Sequence, residues 1–292
     1  MSSTSGRAQR IAHLSDVHLL DDQRRFDLRC RFVSVARPLD AALRVKKLLL
    51  ALRAALRAGV DHVIISGDLT EMGTDKEFER FAEVLHDAHV DPDAVTLVPG
   101  NHDAYTAPDG WRRALQGPLA AFARGSAETS GKVVERRGFL LLPLDVTRHQ
   151  SVARSGGELT EQAAHGVESR LKDAALADRP VVVVQHHPPF GNPRSPWHFI
   201  DGLTGYARML KLMITHPRVH VLHGHAHRTT DRVVPPVAPT GHVLAHGVRA
   251  PSPWRQPRVF GAPAVVEDSE GTPRVRLYEV RDGCVHAAGL AA

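Results

Sequence analysis

Five short polar segments of this sequence carry side chains that can bind metal ions or move protons. Each follows a run of apolar or β-branched residues; they are Asp16-Val17-His18, Gly67-Asp68, Gly100-Asn101-His102-Asp103, His186-His187-Pro188 and Gly224-His225-Ala226-His227. Mixed carboxylate, amide and imidazole ligands suit Mn, Fe, Zn or Co better than an all-oxygen calcium site or a thiolate site. The pattern therefore predicts a transition-metal site assembled from distant parts of the chain.

The candidate ligands are too many for one tetrahedral ion and suit two ions that share a bridging carboxylate. They are Asp16, His18, Asp68, Asn101, His186, His225 and His227. Two metal ions typically lie about 3.5–4 Å apart, clamp a phosphoryl group and acidify a bridging water molecule. Any one of these histidines alone favours a structural role, but the full ordered set predicts phosphoryl chemistry.

Strands that end in ligands imply a buried sheet, because the ends of parallel strands meet along one edge. The apolar runs predict strands at Arg10–Ser15, His62–Ser66, Val95–Val98, Val181–Gln185 and Arg218–Leu222, with a hairpin within Lys132–Asp145. Helical periodicity predicts helices at Leu39–Ala58, Thr74–His89 (capped by Thr74 and Glu77), Trp111–Arg124, Glu158–Ala177 and Tyr206–Thr215. Towards the end of the chain, strands are predicted at 232–234, 242–245 and 274–280. The first half is thus a βαβαβ unit with right-handed parallel crossovers.

Composition limits the classes of function. The 292 residues are 42% hydrophobic and 24% charged, as in a soluble globular protein, and the net charge is +5. The excess of basic residues is spread along the chain and forms no long tract, and aromatic content is 5%. This pattern favours small anionic substrates and disfavours nucleic acid, which stays an open alternative. We expect residues 1–9 to be a disordered tail and 10–292 to form a single domain.

The N-terminus and the cysteines indicate the cellular compartment. Met1 to Arg10 lacks the apolar core of a signal peptide, and no run reaches membrane-spanning length. Cys30 and Cys284 lie outside any CxxC pattern, so a disulfide framework is excluded. We therefore expect a cytoplasmic enzyme that does not associate with membranes.

In their order, Asp-x-His, Gly-Asp, Gly-Asn-His-Asp, His-x-Pro and Gly-His-x-His, these motifs resemble the calcineurin-like metallophosphoesterase superfamily. The resemblance runs from Asp16 to His227 and no motif is missing. It implies an α/β fold, a four-layer αββα sandwich of two mixed β-sheets flanked by helices, with a dinuclear site at the strand ends.

The resemblance also implies a role for each residue. Asp16, His18, Asp68 and His227 would hold the first metal, and Asp68 would bridge to a second held by Asn101, His186 and His225. His102 would donate to the substrate phosphate or protonate the leaving group, with Asp103 orienting it. The nucleophile would be a metal-bound hydroxide.

The run Gly67-Asp68-Leu69-Thr70-Glu71-Met72-Gly73 is most similar to the bacterial cyclic-nucleotide and glycerophosphodiester phosphodiesterases. That branch implies a small-molecule phosphoester substrate and a homo-oligomer. A phosphomonoesterase, a nuclease and a non-catalytic protein-binding scaffold are the alternatives. Members that act as scaffolds typically lose ligands or the histidine corresponding to His102, and here all are present.

Two loops beside the ligands have competing interpretations. Asp21 to Arg37 carries four close arginines and is either a solvated loop or an arginine-bearing lid. Pro188 to Gly205 follows a candidate ligand and carries Trp197 and Phe199, so it is either an irregular connection or a wall facing the substrate.

Overall fold

Two large β-sheets and the helices that cover them make up the protein. A computed structural model describes residues 8–24, 27–34, 37–128, 130–176, 179–192, 194–234, 256–269, 271–281 and 283–291. The strands are β1 Gln9–Leu14, β2 His62–Ser66, β3 Val95–Val98, β4 Val134–Arg136, β5 Phe139–Pro143, β6 Gly157–Glu158, β7 Val181–Val184, β8 Leu203–Thr204, β9 Val219–His223, β10 Thr230–Val233, β11 Arg258–Gly261, β12 Val275–Arg281 and β13 Cys284–Ala291. The α-helices are α1 Leu28–Val33, α2 Ala41–Arg57, α3 Asp75–Asp87, α4 Gly110–Gln116, α5 Glu161–Leu171, α6 Pro196–Asp201 and α7 Tyr206–Thr215.

Both large sheets are mixed: antiparallel strands flank the parallel ones at one edge of the first sheet and at both edges of the second. The first has the order β13-β12-β1-β2-β3, in which β1, β2 and β3 are parallel. The second has the order β10-β11-β9-β7-β5-β4, in which β11, β9, β7 and β5 are parallel. A separate pair, β6 and β8, lies outside them. The parallel strands β1, β2, β3, β7 and β9 have their carboxyl ends where the ligand segments begin.

Three apolar clusters hold the layers together. One joins the first sheet to α2, α3 and α4 through residues such as Leu52 and Phe81. Another joins the second sheet to α5 and α7, for example through Val167 and Met213. The third joins the inner faces of the two sheets, including Ile64 and Val182. The αββα sandwich implied by the family resemblance is confirmed, and from the shared inner cluster we propose that the described residues from Arg10 onward form one domain.

Several elements have the predicted bounds. The strands at His62–Ser66 and Val95–Val98 and the helix at Tyr206–Thr215 agree at both ends, and the hairpin within 132–145 is β4 and β5. The capping box of α3 is also formed: Thr74 Oγ1 accepts from the amide of Glu77 at 3.3 Å, and the Glu77 carboxylate accepts from the amide of Thr74 at 3.2 Å. Local sequence therefore decided these elements.

Other predicted elements were wrong in extent. The helix over 111–124 is two elements, because Gly117-Pro118 ends α4 and a 3-10 helix, Ala120–Gly125, follows. The helix over 158–177 begins only at Glu161, since Gly157–Glu158 pair with β8 as a short strand. Gln9 belongs to β1 rather than to the predicted tail. Residues 1–7 of that tail and the strand predicted at 242–245 lie outside the described residues.

Candidate metal centre

All five ligand segments meet in one cluster at the ends of the parallel strands. Three groups of side chains place their ligand atoms within 4.8 Å of one another: Asp16, His18 and His227; His18, Asp68 and His102; and Asp16, Asp68 and His186. Asp16, His18, Asp68 and His186 are at most 2% exposed. Side chains separated by up to 211 residues in sequence are thus adjacent, as the strand-end pattern predicted.

The backbone of the ligand loops is left-handed at five non-glycine residues. They are Asp16, His18, Asp68, His225 and His227, with φ between 49° and 64°. Residues with a Cβ seldom adopt this conformation, and it concentrates at functional sites where the surrounding structure enforces it. Hydrogen bonds between two of the loops enforce it here, since the amide of Asp16 donates to Gly67 O at 3.0 Å and that of His18 to Asp68 O at 2.8 Å.

Glycine is required at two positions because ligands pack against the backbone there. Gly67 has φ 98°, and a Cβ on it would lie 2.5 Å from Nδ1 of His186. A Cβ on Gly100 would collide with the carboxylate of Asp68. The ligand loops therefore approach one another more closely than any residue with a side chain would allow.

Asp68 lies at the centre of the cluster, and its Oδ2 faces three imidazoles. The distances are 3.3 Å to Nε2 of His186, 3.7 Å to Nε2 of His18 and 3.9 Å to Nε2 of His102. Burial by itself raises the pKa of Asp68, but the surrounding imidazoles outweigh it and hold the pKa well below its usual range. Asp68 is therefore an ionised carboxylate at the centre of the candidate site.

His186 and His227 each direct one ring nitrogen at a carboxylate oxygen of the cluster. Nδ1 of His186 donates to Ser66 O at 2.8 Å, which leaves Nε2 to face Asp68 Oδ2. Nδ1 of His227 is 2.5 Å from the Glu267 carboxylate, and its Nε2 lies 3.2 Å from Asp16 Oδ1. A lone pair and a carboxylate oxygen repel each other unless a cation or a proton lies between them. The donor set therefore fits bound metal ions.

The same pairs control the titration of both histidines. Burial by itself lowers the pKa of His186, but the Asp68 carboxylate outweighs it and raises the pKa to about 9. Burial likewise lowers the pKa of His227, and the carboxylates of Asp16 and Glu267 outweigh it and raise the pKa to about 9. Both positions thus attract positive charge strongly.

Asn101 and His225 are the two predicted ligands that lie outside these three groups of side chains. Among the described residues, the buried Asn101 Oδ1 has no hydrogen-bond partner, while its Nδ2 donates to Tyr105 Oη at 3.0 Å. A buried amide oxygen without a donor is costly, and a cation would satisfy it. His225 is held by its backbone amide, 3.1 Å from Asp16 Oδ2, while its ring lies 5.2 Å from that of His186 and its Nε2 lies 3.0 Å from Asp201 O.

Asp103 does not have the orienting contact predicted for it. Nδ1 of His102 donates to the backbone carbonyl of Glu71 at 2.8 Å, and its amide donates to Asp68 Oδ1 at 2.9 Å. The Asp103 carboxylate instead accepts from the amides of Gly100, Leu69 and Thr70, at 2.8, 3.1 and 2.9 Å, and from the Thr70 hydroxyl at 2.6 Å. Asp103 therefore ties the third ligand loop to the second. The carbonyl of Glu71 orients His102.

Three charged residues that were not predicted as site residues contact the candidate ligands. The buried Glu71 carboxylate lies 3.3 Å from His18 Nδ1 and accepts from Arg44 Nη1 at 2.6 Å. Arg37 donates to His18 Nε2 at 2.8 Å, so a cationic group meets this ligand nitrogen. Glu267 contacts His227, as described above. Glu71 could have been found from its place three residues after Asp68, whereas Glu267 lies 40 residues from its partner and has no local signal.

Both adjoining loops contain regular structure and reach the ligands. The loop over 21–37 includes a 3-10 helix, Asp22–Arg24, and α1, and it brings Arg37 to His18. The loop over 188–205 includes α6 and β8, and it brings the carbonyl of Asp201 to His225. Trp197 and Phe199 on α6 are 68% and 65% exposed. In both loops a short helix lies next to the cluster.

The model of the family described as calcineurin-like phosphoesterase matches residues 9–229, about three quarters of the chain. The chain belongs to this family. The resemblance predicted from the motifs is thus confirmed, and the cluster of Asp and His side chains lies within the matched residues, with Glu267 outside them.

Curated relatives of the chain are bacterial phosphodiesterases. A 3',5'-cyclic-nucleotide phosphodiesterase of Nostoc sp. is 27% identical over 224 residues, 76% of this chain and 73% of the relative. The glycerophosphodiester phosphodiesterase GpdQ of Enterobacter lignolyticus is 27% identical over 60% of this chain and 59% of its own length. The chain is therefore similar to the branch predicted from the Gly67–Gly73 run.

Solved structures share the fold. A dimetal phosphatase from Danio rerio superposes with a TM-score of 0.65 at 15% identity, covering 97% of this chain and 96% of its own. A purple acid phosphatase from yellow lupin superposes with a TM-score of 0.55 at 11% identity, covering 98% of this chain and 52% of its own. None of the helices in the described part of the chain is long and apolar enough to span a membrane.

Proposed function

We propose that this protein is a dinuclear metal-dependent phosphodiesterase that acts on small-molecule phosphoesters. The observation that carries the proposal is the set of imidazole nitrogens that face buried carboxylates, together with the unpartnered buried oxygen of Asn101. Asp16, His18, Asp68 and His227 would hold one ion, and Asp68, Asn101, His186 and His225 the other. Bound ions of Mn, Fe or Zn would polarise the phosphoryl group and activate a water molecule as nucleophile.

The remaining residues of the site position the substrate. His102 is the most exposed imidazole next to Asp68, with a side chain 10% exposed, and its Nδ1 is fixed on the Glu71 carbonyl. When the ring is protonated on both nitrogens, its Nε2 would donate to a phosphate oxygen or protonate the leaving alcohol. The names of the relatives support phosphodiesters as substrates, in particular cyclic nucleotides and glycerophosphodiesters.

Hydrolysis of bis-p-nitrophenyl phosphate by metal-stripped protein tests the proposal. We expect activity to appear on adding Mn²⁺, and Asn101→Ala to abolish it because a ligand is lost. Gln116→Ala, which removes an exposed amide on α4, should leave the rate unchanged. Diester cleavage would then be followed with 3',5'-cyclic nucleotides and glycerophosphodiesters.

The alternatives make different predictions in the same assay. Cleavage of p-nitrophenyl phosphate alone would assign a phosphomonoesterase. Salt-sensitive DNA binding with DNA cleavage would assign a nuclease. Absence of all hydrolysis in protein that binds metal would refute the proposed activity and favour a protein-binding scaffold. Size-exclusion chromatography would test the homo-oligomer.

A further inference from the structure

Glu267 lies beyond the residues matched by the family model, yet it contacts the candidate ligand His227. Its Oε1 is 2.5 Å from Nδ1 of His227, and Nε2 of the same ring lies 3.2 Å from Asp16 Oδ1. Each ring nitrogen of His227 is therefore next to a carboxylate. When one ring nitrogen of a histidine binds a metal, a carboxylate at the other nitrogen fixes the tautomer and orientation of the ring and makes it a stronger ligand.

The backbone around Glu267 is held in place by the first ligand segment. Glu267 ends a 3-10 helix, Val265–Glu267, whose amides donate to that segment: Val265 to Ser15 O at 3.0 Å and Val266 to Asp16 O at 3.1 Å. The Lys47 ammonium donates to Val266 O at 2.6 Å, which joins the same turn to α2. The carboxylate is thus fixed relative to Asp16 by main-chain contacts.

We propose that Glu267 is a positioning residue for His227, so that the C-terminal part of the chain completes the metal centre. This inference rests on the proposed function. His18 has a comparable neighbour in the buried Glu71, 3.3 Å from its Nδ1, whereas His186 has the backbone carbonyl of Ser66. The Glu267 side chain is 43% exposed, so its replacement leaves the apolar core intact.

Titration of metal-stripped protein with Co²⁺, followed by visible absorbance, tests the inference without relying on turnover. Wild-type protein should bind two equivalents. Glu267→Ala should weaken one of them by about 100-fold and leave the other unchanged, because loss of an outer-shell partner typically costs 10–100-fold in metal affinity. Glu267→Gln keeps an acceptor oxygen and should lower the Co²⁺ affinity of that site by only about tenfold. The matched control is Glu168→Ala, since this carboxylate is 37% exposed and pairs with Lys172 on α5.

Thermal melts of the metal-free variants, each compared with wild type, separate misfolding from loss of the contact. Folded Glu267→Ala that binds both Co²⁺ equivalents with wild-type affinity would overturn the inference. If Glu267→Ala does not fold, wild-type affinity in Glu267→Gln overturns it equally. Wild-type protein that binds no Co²⁺ would instead refute the proposed dinuclear function.

Discussion

Replacing Gly67 with alanine should displace the candidate metal ligand His186 while leaving the side chain of every candidate ligand unchanged. Gly67 lies between β2 and Asp68, and its backbone packs against the ring of His186. A Cβ at this position would be 2.5 Å from Nδ1, 2.7 Å from Cγ and 2.8 Å from Cβ of that histidine. Contacts of Cβ under 3.0 Å are essentially not tolerated, so the ring has to move by at least the difference, 0.5 Å.

The size of the effect follows from that displacement. A functional site tolerates about 0.5 Å of misplacement, and about 1 Å costs roughly 100-fold in rate. We therefore expect Gly67→Ala to lower kcat/KM for a phosphodiester by about 10- to 100-fold. The residue also has φ 98°, and left-handed backbone costs a residue with a Cβ about 1–2 kcal/mol. Overpacking adds about 1–3 kcal/mol.

Gly59→Ala separates backbone strain from the contact with His186. Gly59 follows α2 with φ 65°, and a Cβ there would meet nothing within 4 Å. It should therefore lose stability through strain alone and keep its activity. The assay is Mn²⁺-dependent hydrolysis of bis-p-nitrophenyl phosphate, with a thermal melt of each variant. Equal kcat/KM in the two variants would refute the close-contact argument, even if both melt at lower temperature.

Two further predictions concern Asp103 and His220. Asp103→Ala should lower both the melting temperature and the affinity for metal, because it leaves four hydrogen-bond donors of two ligand loops without their acceptor. His102→Ala should instead lower kcat and leave metal binding unchanged. The reverse pattern in Co²⁺ titrations and thermal melts would restore a catalytic role to Asp103. His220 is buried on β9, and burial, with Arg258 and His286 nearby, lowers its pKa to about 4 from 6.5. Because the pKa of His220 is lower in the folded protein than in the unfolded chain, the unfolded chain takes up the proton first as the pH falls. The free energy of unfolding therefore keeps its full value above pH 6.5 and decreases as the pH falls towards 4. At pH 5 the decrease is about 2 kcal/mol, at 1.36 kcal/mol per pKa unit. His220→Leu should reduce the fall in unfolding free energy between pH 7 and pH 5 by about that amount in urea titrations, and an unchanged fall would contradict the assignment.

The elements that the sequence predicted well are those with strong local signals. β2, β3 and β7 are buried along their whole length and are rich in β-branched and apolar residues, and α3 carries both partners of its capping box. The strands β11 and β13 were not predicted. β13 contains three alanines and a glycine, which have low strand propensity, and it forms by antiparallel pairing with β12. This edge strand forms through pairing with a neighbouring strand, and the local sequence of β13 does not indicate that pairing.

The clustering of the candidate ligands could be predicted because their motifs lie at the ends of strands. Parallel pairing of those strands is enough to bring the motifs together. The partners of those ligands needed coordinates. Asp103 is adjacent to His102 in sequence, which suggested a contact, but the turn directs its carboxylate to the amides of Leu69 and Thr70. Glu267 follows β11 and joins the site through backbone hydrogen bonds to Ser15 and Asp16. Such contacts depend on loop conformation, and local sequence patterns do not encode it.

The left-handed residues connect the fold to the proposed chemistry. Five candidate ligands have positive φ, at a cost of about 1–2 kcal/mol each. Such a cost persists only where the surroundings enforce it. Here the surroundings are the parallel pairing of β1 with β2 and the amides of Asp16, Val17 and His18, which donate to the second ligand loop. Strand pairing and these loop hydrogen bonds thus hold the candidate ligands in place. Substitutions in those loops should therefore affect metal binding more than they affect folding.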